Sequence, residues 1–164
     1  MAVDQKSDPQ APASASHLDL HHSAHYNEHM LTIWSNRTML YHHIIDTANQ
    51  KVLSFLAKFS DQEFYEREIA RRVGIASGSA NRALNRLYSA GAVKRRQEGK
   101  MYFYSVDLSN PAIPQFKRLT NILLIEPLIE KLKPATIKIV LYGSCVQGTD
   151  TSQSDLDLFI VSDN

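Results

Sequence analysis

Cysteine is almost missing from this 164-residue chain: Cys145 is the only one. An internal disulfide framework is thereby excluded, and a reducing compartment fits. No uninterrupted apolar run approaches the roughly 20 residues of a membrane-spanning helix. The opening MAVDQKSDPQ lacks the apolar stretch of a signal peptide, so the chain is read as cytoplasmic, with no membrane partner. A charge excess is also lacking overall, the formal net charge being +1. What is present, 43% hydrophobic and 21% charged residues, is the make-up of a soluble globular protein. The length allows one full domain and part of another.

The near-zero net charge conceals an asymmetry. Residues 67–100 carry nine basic side chains against two acidic ones, Glu68 and Glu98, whereas the remainder holds nine basic and fifteen acidic. A basic segment inside a near-neutral chain is an electrostatic footprint for a polyanion. The pattern around it is regular. From Thr47, the residues Val52, Phe55, Leu56 and Phe59 follow helical spacing. A brief strand-like Glu63-Phe64-Tyr65 precedes a helix that Gly74 should stop. Ser77 is a plausible N-cap for a second helix through Ala80, Leu84 and Leu87 to Gly91. Val93–Gln97 and Met101–Val106 then flank Glu98-Gly99-Lys100 as a hairpin. The small core is expected from Ile69, Ala70, Val73, Ile75, Ala80, Leu84, Leu87, Val93 and Phe103, with Tyr102 and Tyr104 on the other face of the hairpin.

This order resembles that of bacterial and archaeal winged helix-turn-helix regulators, over about residues 47–107. The resemblance implies that the second helix of the pair enters the major groove of double-stranded DNA and the hairpin touches the backbone. Ser77, Ser79, Asn81, Arg82, Asn85 and Arg86 would then lie on or near the exposed face of the recognition helix. Arg and Asn are the side chains that contact guanine and adenine edges bidentately. Arg95, Arg96 and Lys100 on the wing would meet phosphates, with affinity falling as salt rises. Use of the same fold for protein contact, with solvated arginines, is the other reading.

The last 28 residues, IKIVLYGSCVQGTDTSQSDLDLFIVSDN, carry a second pattern. An apolar run ends in Gly143-Ser144, and Asp155-Leu156-Asp157 opens another apolar run. Both runs read as strands. Strand alternation puts Asp155 and Asp157 on one face and Leu156 and Leu158 on the other. Adjacent carboxylates repel unless a cation lies between them, and Mg²⁺ is usually held by one or two carboxylates plus substrate phosphates. Gly143-Ser144 should open a short helix where glycine admits a close ligand and free N–H groups favour phosphate. At that helix start Cys145 either has a lowered pKa or is a small filler.

Leu141-Tyr142-Gly143-Ser144 followed by Ser154-Asp155-Leu156-Asp157-Leu158 is similar to the signature of the polymerase β-like nucleotidyltransferases, in particular their minimal members. The resemblance implies catalytic, metal-binding roles for Asp155 and Asp157, a nucleoside triphosphate at Gly143 and Ser144, and a two-metal Mg²⁺ site. It also implies a third carboxylate on a later strand. Asp163, just past the same strand, does not meet that requirement.

The remaining segments are less specific. Residues 1–16, rich in Ala, Ser, Pro and Gln, are expected to be disordered. All seven histidines fall within 17–46, and His21, His25 and His29 share one face if that stretch is helical. They could bind Zn²⁺ or Ni²⁺ weakly, but no Cys or acidic pair completes a site, which favours a polar helix or tail. Residues 111–133 read as a connecting helix with Pro111 or Pro114 in its first turn, Pro127 as a kink or break, and Lys133-Pro134 as its end. Its apolar residues, Phe116, Leu119, Ile122, Leu123, Leu128, Ile129 and Leu132, serve either a homodimer or packing on the following sheet. The expected fold class is α+β. It comprises an N-terminal extension (1–46), a winged helix-turn-helix (47–107), a connecting helix (108–133) and the opening part of a nucleotidyltransferase domain (134–164). The function expected is DNA binding coupled to nucleotidyl transfer, with a non-catalytic regulator as the alternative.

Overall fold

The computed structural model describes residues 40–162. The expectations for residues 1–16, for the His21, His25, His29 face and for Asp163 lie outside the described residues. The fold is α+β. Helix α1 (Leu40–Ile44) leads to α2 (Ala48–Lys58). Thr47 caps α2 in a reciprocal capping box with Gln50, satisfying two otherwise orphaned donors. Val52 and Leu56 are fully buried, and Phe55 and Phe59 pack partly buried beside them. Strand β1 (Phe64–Tyr65) is followed by α3 (Glu66–Val73), which ends at Gly74, and then by α4 (Ser77–Ser89). The N-cap of α4 is Ala76, whose carbonyl accepts from the Ser79 and Ala80 amides, so Ser77 is the first helical residue and not the cap.

Strands β2 (Val93–Glu98) and β3 (Met101–Val106) form the hairpin, and β1 adds to β3, giving a three-stranded antiparallel sheet in the order β1-β3-β2. Helix, short strand, two helices and a hairpin is the winged helix-turn-helix arrangement. Six of the expected core residues, Ile69, Ala70, Ala80, Leu84, Leu87 and Val93, are buried, and Val73 and Ile75 pack partly buried against them. Phe103 is not in this cluster; Tyr104 takes its place, 1% exposed. The register explains the exchange. Tyr104 pairs with the buried Phe64, whereas Phe103 pairs with the exposed Tyr65 and Arg96, and directly opposed residues share a sheet face.

Helix α5 (Ala112–Leu132) runs without a break through Pro127. Burial of Leu123 and Ile125 on neighbouring elements outweighs the lost hydrogen bond, tertiary packing being what holds most protein helices. Ile113, Lys117, Thr120 and Leu123 point inward, while Leu119 and Ile122, also among its apolar residues, are 43% and 56% exposed. A 3-10 turn at Lys133–Ala135 ends the helix. Strand β4 (Lys138–Tyr142), helix α6 (Ser144–Gln147) and strand β5 (Asp157–Val161) complete the described chain. β4 and β5 pair antiparallel from Lys138↔Val161 to Tyr142↔Asp157. A lone two-stranded ladder is marginal in water. Here α6 and its flanking loop pack on α5, and α5 packs on α2, so the small sheet rests on the winged-helix body. Among the described residues no helix is long and apolar enough to cross a membrane.

Candidate functional site

The end of β4 turns at Gly143, with φ +76° and ψ −158°, and Ser144 begins α6. The expected short helix is therefore present, four residues long. Ladder pairing sets Asp157 opposite Tyr142, beside this bend. A Cβ built on Gly143 would overlap the Asp157 carboxylate. Two constraints thus demand glycine here, the left-handed φ and the acid that fills the space of a side chain. Asp157 is half-buried and is the first residue of β5; Asp155 is exposed and lies before the strand. The alternation argument that put both on one strand face therefore reaches only Asp157. Leu156 and Leu158 are half-buried.

Neither carboxylate has a hydrogen-bond or ion-pair partner among the described residues. Unpaired acids at a glycine bend are an all-oxygen donor set of the kind that suits Mg²⁺ together with phosphate oxygens. Among the described residues no group of three or more His, Cys, Asp or Glu is gathered as a metal cluster. Cys145 donates weakly to the Asp155 carbonyl at 3.6 Å. Burial, reinforced by the Asp150 and Asp157 carboxylates, pushes its thiol pKa up to about 11. Of the two alternatives for Cys145, the lowered pKa is ruled out and the small filler stands, because a four-residue helix supplies little field against burial and negative neighbours.

The loop joining α6 to Asp155 is fastened from outside the small sheet. Lys117 of α5, 1% exposed, donates to the carbonyl of Ala57 (2.9 Å), to Ser60 Oγ (3.0 Å) and to the carbonyl of Asp150, and pairs with the Asp150 carboxylate at 3.7 Å. Asn121 Nδ2 reaches both the Cys145 carbonyl (3.1 Å) and Asp150 Oδ1 (2.9 Å). Farther along, Ser152 bonds to Gln62 and to Asp61. Burial holds the Lys117 ammonium below its usual pKa, and the Asp150 charge opposes that shift. Sequence reading missed this cluster. The available signal was the spacing Ile113, Lys117, Thr120, which puts a lysine on the same helix face as a buried isoleucine.

On α4, Ser77, Asn81, Arg82, Asn85 and Arg86 are exposed and Ser79 is half-buried, opposite the buried Ala80, Ala83, Leu84 and Leu87. A polar chain runs along this surface: Asn85 donates to Asn81 (3.0 Å), Asn81 to Glu66 (2.7 Å), and Arg82 to Ser79 (3.2 Å). The wing arginines differ from one another. The Arg95 guanidinium stacks on Tyr88 (4.3 Å) and Tyr102 (4.6 Å). Arg96 lies over Phe103 and pairs with Glu63 (2.9 Å) and Glu98 (2.7 Å). Lys100 is exposed in the turn. Arg95 and Lys100 thus present charge, while Arg96 is already answered by two carboxylates. Tyr104 is a packing residue.

A family model for the nucleotidyltransferase domain matches residues 123–164. No curated protein matches the sequence. Among solved structures, reduced HlyU from Vibrio cholerae N16961 is similar at 18% identity and TM-score 0.35, covering 65% of this chain and 90% of its own. Rv0081 of M. tuberculosis is similar at 19% identity and TM-score 0.39, covering 65% of this chain and 92% of its own. These two likenesses are remote, and the winged-helix description rests on strand order and register.

Proposed function

We propose that this chain is a DNA-binding winged-helix protein coupled to a Mg²⁺-dependent nucleotide site of the nucleotidyl-transfer type. The observation that carries the second half is the Asp157 carboxylate seated where a Gly143 side chain would be. It joins the two halves of the motif across the ladder, inside the segment similar to nucleotidyltransferase domains. On this reading Gly143 and the amide of Ser144 receive the triphosphate, and Asp155 and Asp157 hold Mg²⁺. The ion, when bound, neutralises phosphate charge, and with a second ion it would stabilise both the attacking and the leaving oxygen. The chain's own part is to orient the phosphates and keep two carboxylates free for metal, that is, positioning and charge neutralisation.

For DNA, the exposed polar face of α4 supplies base contacts through Asn81, Arg82, Asn85 and Arg86. Ser77, Ser79, Arg95 and Lys100 supply backbone contacts, whereas Arg96, expected among them, is held by Glu63 and Glu98. Exposed Leu119 and Ile122 are the part of α5 available to a second copy. A regulator with a non-catalytic nucleotide sensor is the second reading. It is favoured by the count of free acids at the bend, two among the described residues.

Incubation with labelled nucleoside triphosphates and Mg²⁺, in wild type and Asp155→Ala/Asp157→Ala, tests the chemistry. Metal-dependent transfer by the wild type alone supports the enzyme; nucleotide binding without transfer leaves the sensor. Gel shifts with duplex DNA test the other half. Arg82→Ala/Arg86→Ala is expected to lose the complex that wild type forms, and unchanged binding by this variant rejects α4 as the reading element.

A further inference from the structure

The Gly143 bend and the two aspartates belong to one small ladder, yet the loop that connects them is not held by that ladder. Two side chains of α5 hold it instead, both N-terminal to the segment that matches the nucleotidyltransferase model. Lys117 Nζ gathers the Ala57 carbonyl, Ser60 Oγ and the Asp150 carbonyl. Ser60 Oγ also donates to the Asp150 carbonyl at 3.1 Å. The ammonium thus ties the C-terminal end of α2, in the winged-helix body, to the middle of the loop. Asn121, one helical turn later, bridges the loop's two sides by bonding to Cys145, two residues after Gly143, and to Asp150. Gly148 closes the contact: its φ is +72°, and a Cβ there would overlap the Pro114 carbonyl of α5.

A charged lysine and an aspartate, 1% and 7% exposed, are costly to bury for adhesion alone, since matched apolar residues would hold the loop as well. What a directional cluster adds is a fixed geometry. Rotation of Asp150 away from Lys117 strands a buried charge on each side, so the loop has one satisfied position. That position sets where Ser144 and Asp155 stand relative to each other.

We propose that Lys117 and Asn121 are positioning residues of the candidate nucleotide site. They register the Gly143-Ser144 bend and the Asp155-Leu156-Asp157 segment against the winged-helix body. The inference rests on the nucleotide reading above. Neither side chain touches the nucleotide; both act through Asp150 and the Cys145 carbonyl.

The test is equilibrium binding of the four common ribonucleoside triphosphates with Mg²⁺ to the full chain, with thermal unfolding run in parallel. The proteins are wild type, Asn121→Ala, Lys117→Met and Lys117→Met/Asp150→Asn. Lys117→Met leaves a buried carboxylate unpaired, and its unfolding midpoint should drop. The double variant removes both charges and should recover much of that midpoint, while its nucleotide affinity stays tenfold or more below wild type. Asn121→Ala, at a half-buried position, should fold normally and bind several-fold more weakly. Stability and affinity therefore part company if the cluster positions the site. Affinity that returns to the wild-type value together with the midpoint, or a folded Asn121→Ala that binds as wild type does, overturns the inference and leaves the nucleotide reading standing. Wild type that binds none of the four overturns both.

Discussion

At Gly143 a single hydrogen atom stands where any other residue would carry carbon. Gly143→Ala must adopt φ +76° with a Cβ and must displace the Asp157 carboxylate. The backbone strain alone costs about 1–3 kcal/mol. The unfolding midpoint should fall by several degrees, and Mg²⁺-dependent nucleotide binding should fall further than that loss accounts for, because the acid proposed to hold the metal has moved. Calorimetric unfolding and nucleotide titration on the same preparation check both. Cys145 gives a second residue-level outcome. With its pKa raised from 9.0 to about 11, the thiolate fraction at pH 8 is roughly 100-fold below that of a free cysteine with pKa 9.0, and the thiolate is the nucleophile. Alkylation by iodoacetamide in metal-free buffer should be correspondingly slow and should accelerate only as pH approaches 11. Rapid labelling at pH 8 contradicts the burial account. The bend and the acids were legible in the sequence because glycine, spacing and apolar flanks are local signals. The loss of Asp155 from the strand was not, since a ladder's first residue is set by pairing with β4.

The wing is the element where identical residue types do different things. Arg95 and Arg96 are neighbours in β2, so alternation sends them to opposite faces of the sheet. One meets Tyr88 and Tyr102, the other Glu63 and Glu98. Each phosphate contact to duplex DNA contributes about 0.9 to the slope of log affinity against log salt. Arg86→Ala and Lys100→Ala should weaken DNA binding, Lys100→Ala lowering that slope by about one. Arg96→Ala should change the slope little, its charge being already compensated. Filter binding across a salt series measures all three, and a unit drop for Arg96→Ala shows that its acids release it on DNA. Sequence pattern foresaw the hairpin and its basic strand. It assigned the core aromatic to Phe103 because either phase of an alternating Tyr-Phe-Tyr run is possible, and only pairing of Tyr104 with buried Phe64 selects the phase. In helix α5 the leucines and isoleucines go nearly all round, so apolar periodicity does not choose a face, and the buried side is marked by Lys117 meeting Ala57, Ser60 and Asp150.

Across the whole molecule, the basic module and the acidic ladder are not beads on a string. Lys117, Asn121 and Gly148 clasp the loop between α6 and β5 to α5 and to the end of α2, and the Asp61, Gln62 and Ser152 bonds widen that contact. The charge asymmetry was legible in the sequence; the polar contacts that make the two parts one body join residues up to 91 positions apart, and only the Ile113, Lys117, Thr120 spacing hints at them. The central claim is that Asp155 and Asp157 hold a divalent ion for a nucleotide seated at Gly143-Ser144. Calorimetric titration of the wild type with nucleoside triphosphates, with and without Mg²⁺, against Asp155→Asn/Asp157→Asn tests it most directly. The account predicts binding that needs Mg²⁺ in the wild type and is at least tenfold weaker in the double variant, with thermal unfolding of the two proteins alike. Wild-type binding that is indifferent to Mg²⁺, or a variant that binds equally well, contradicts it.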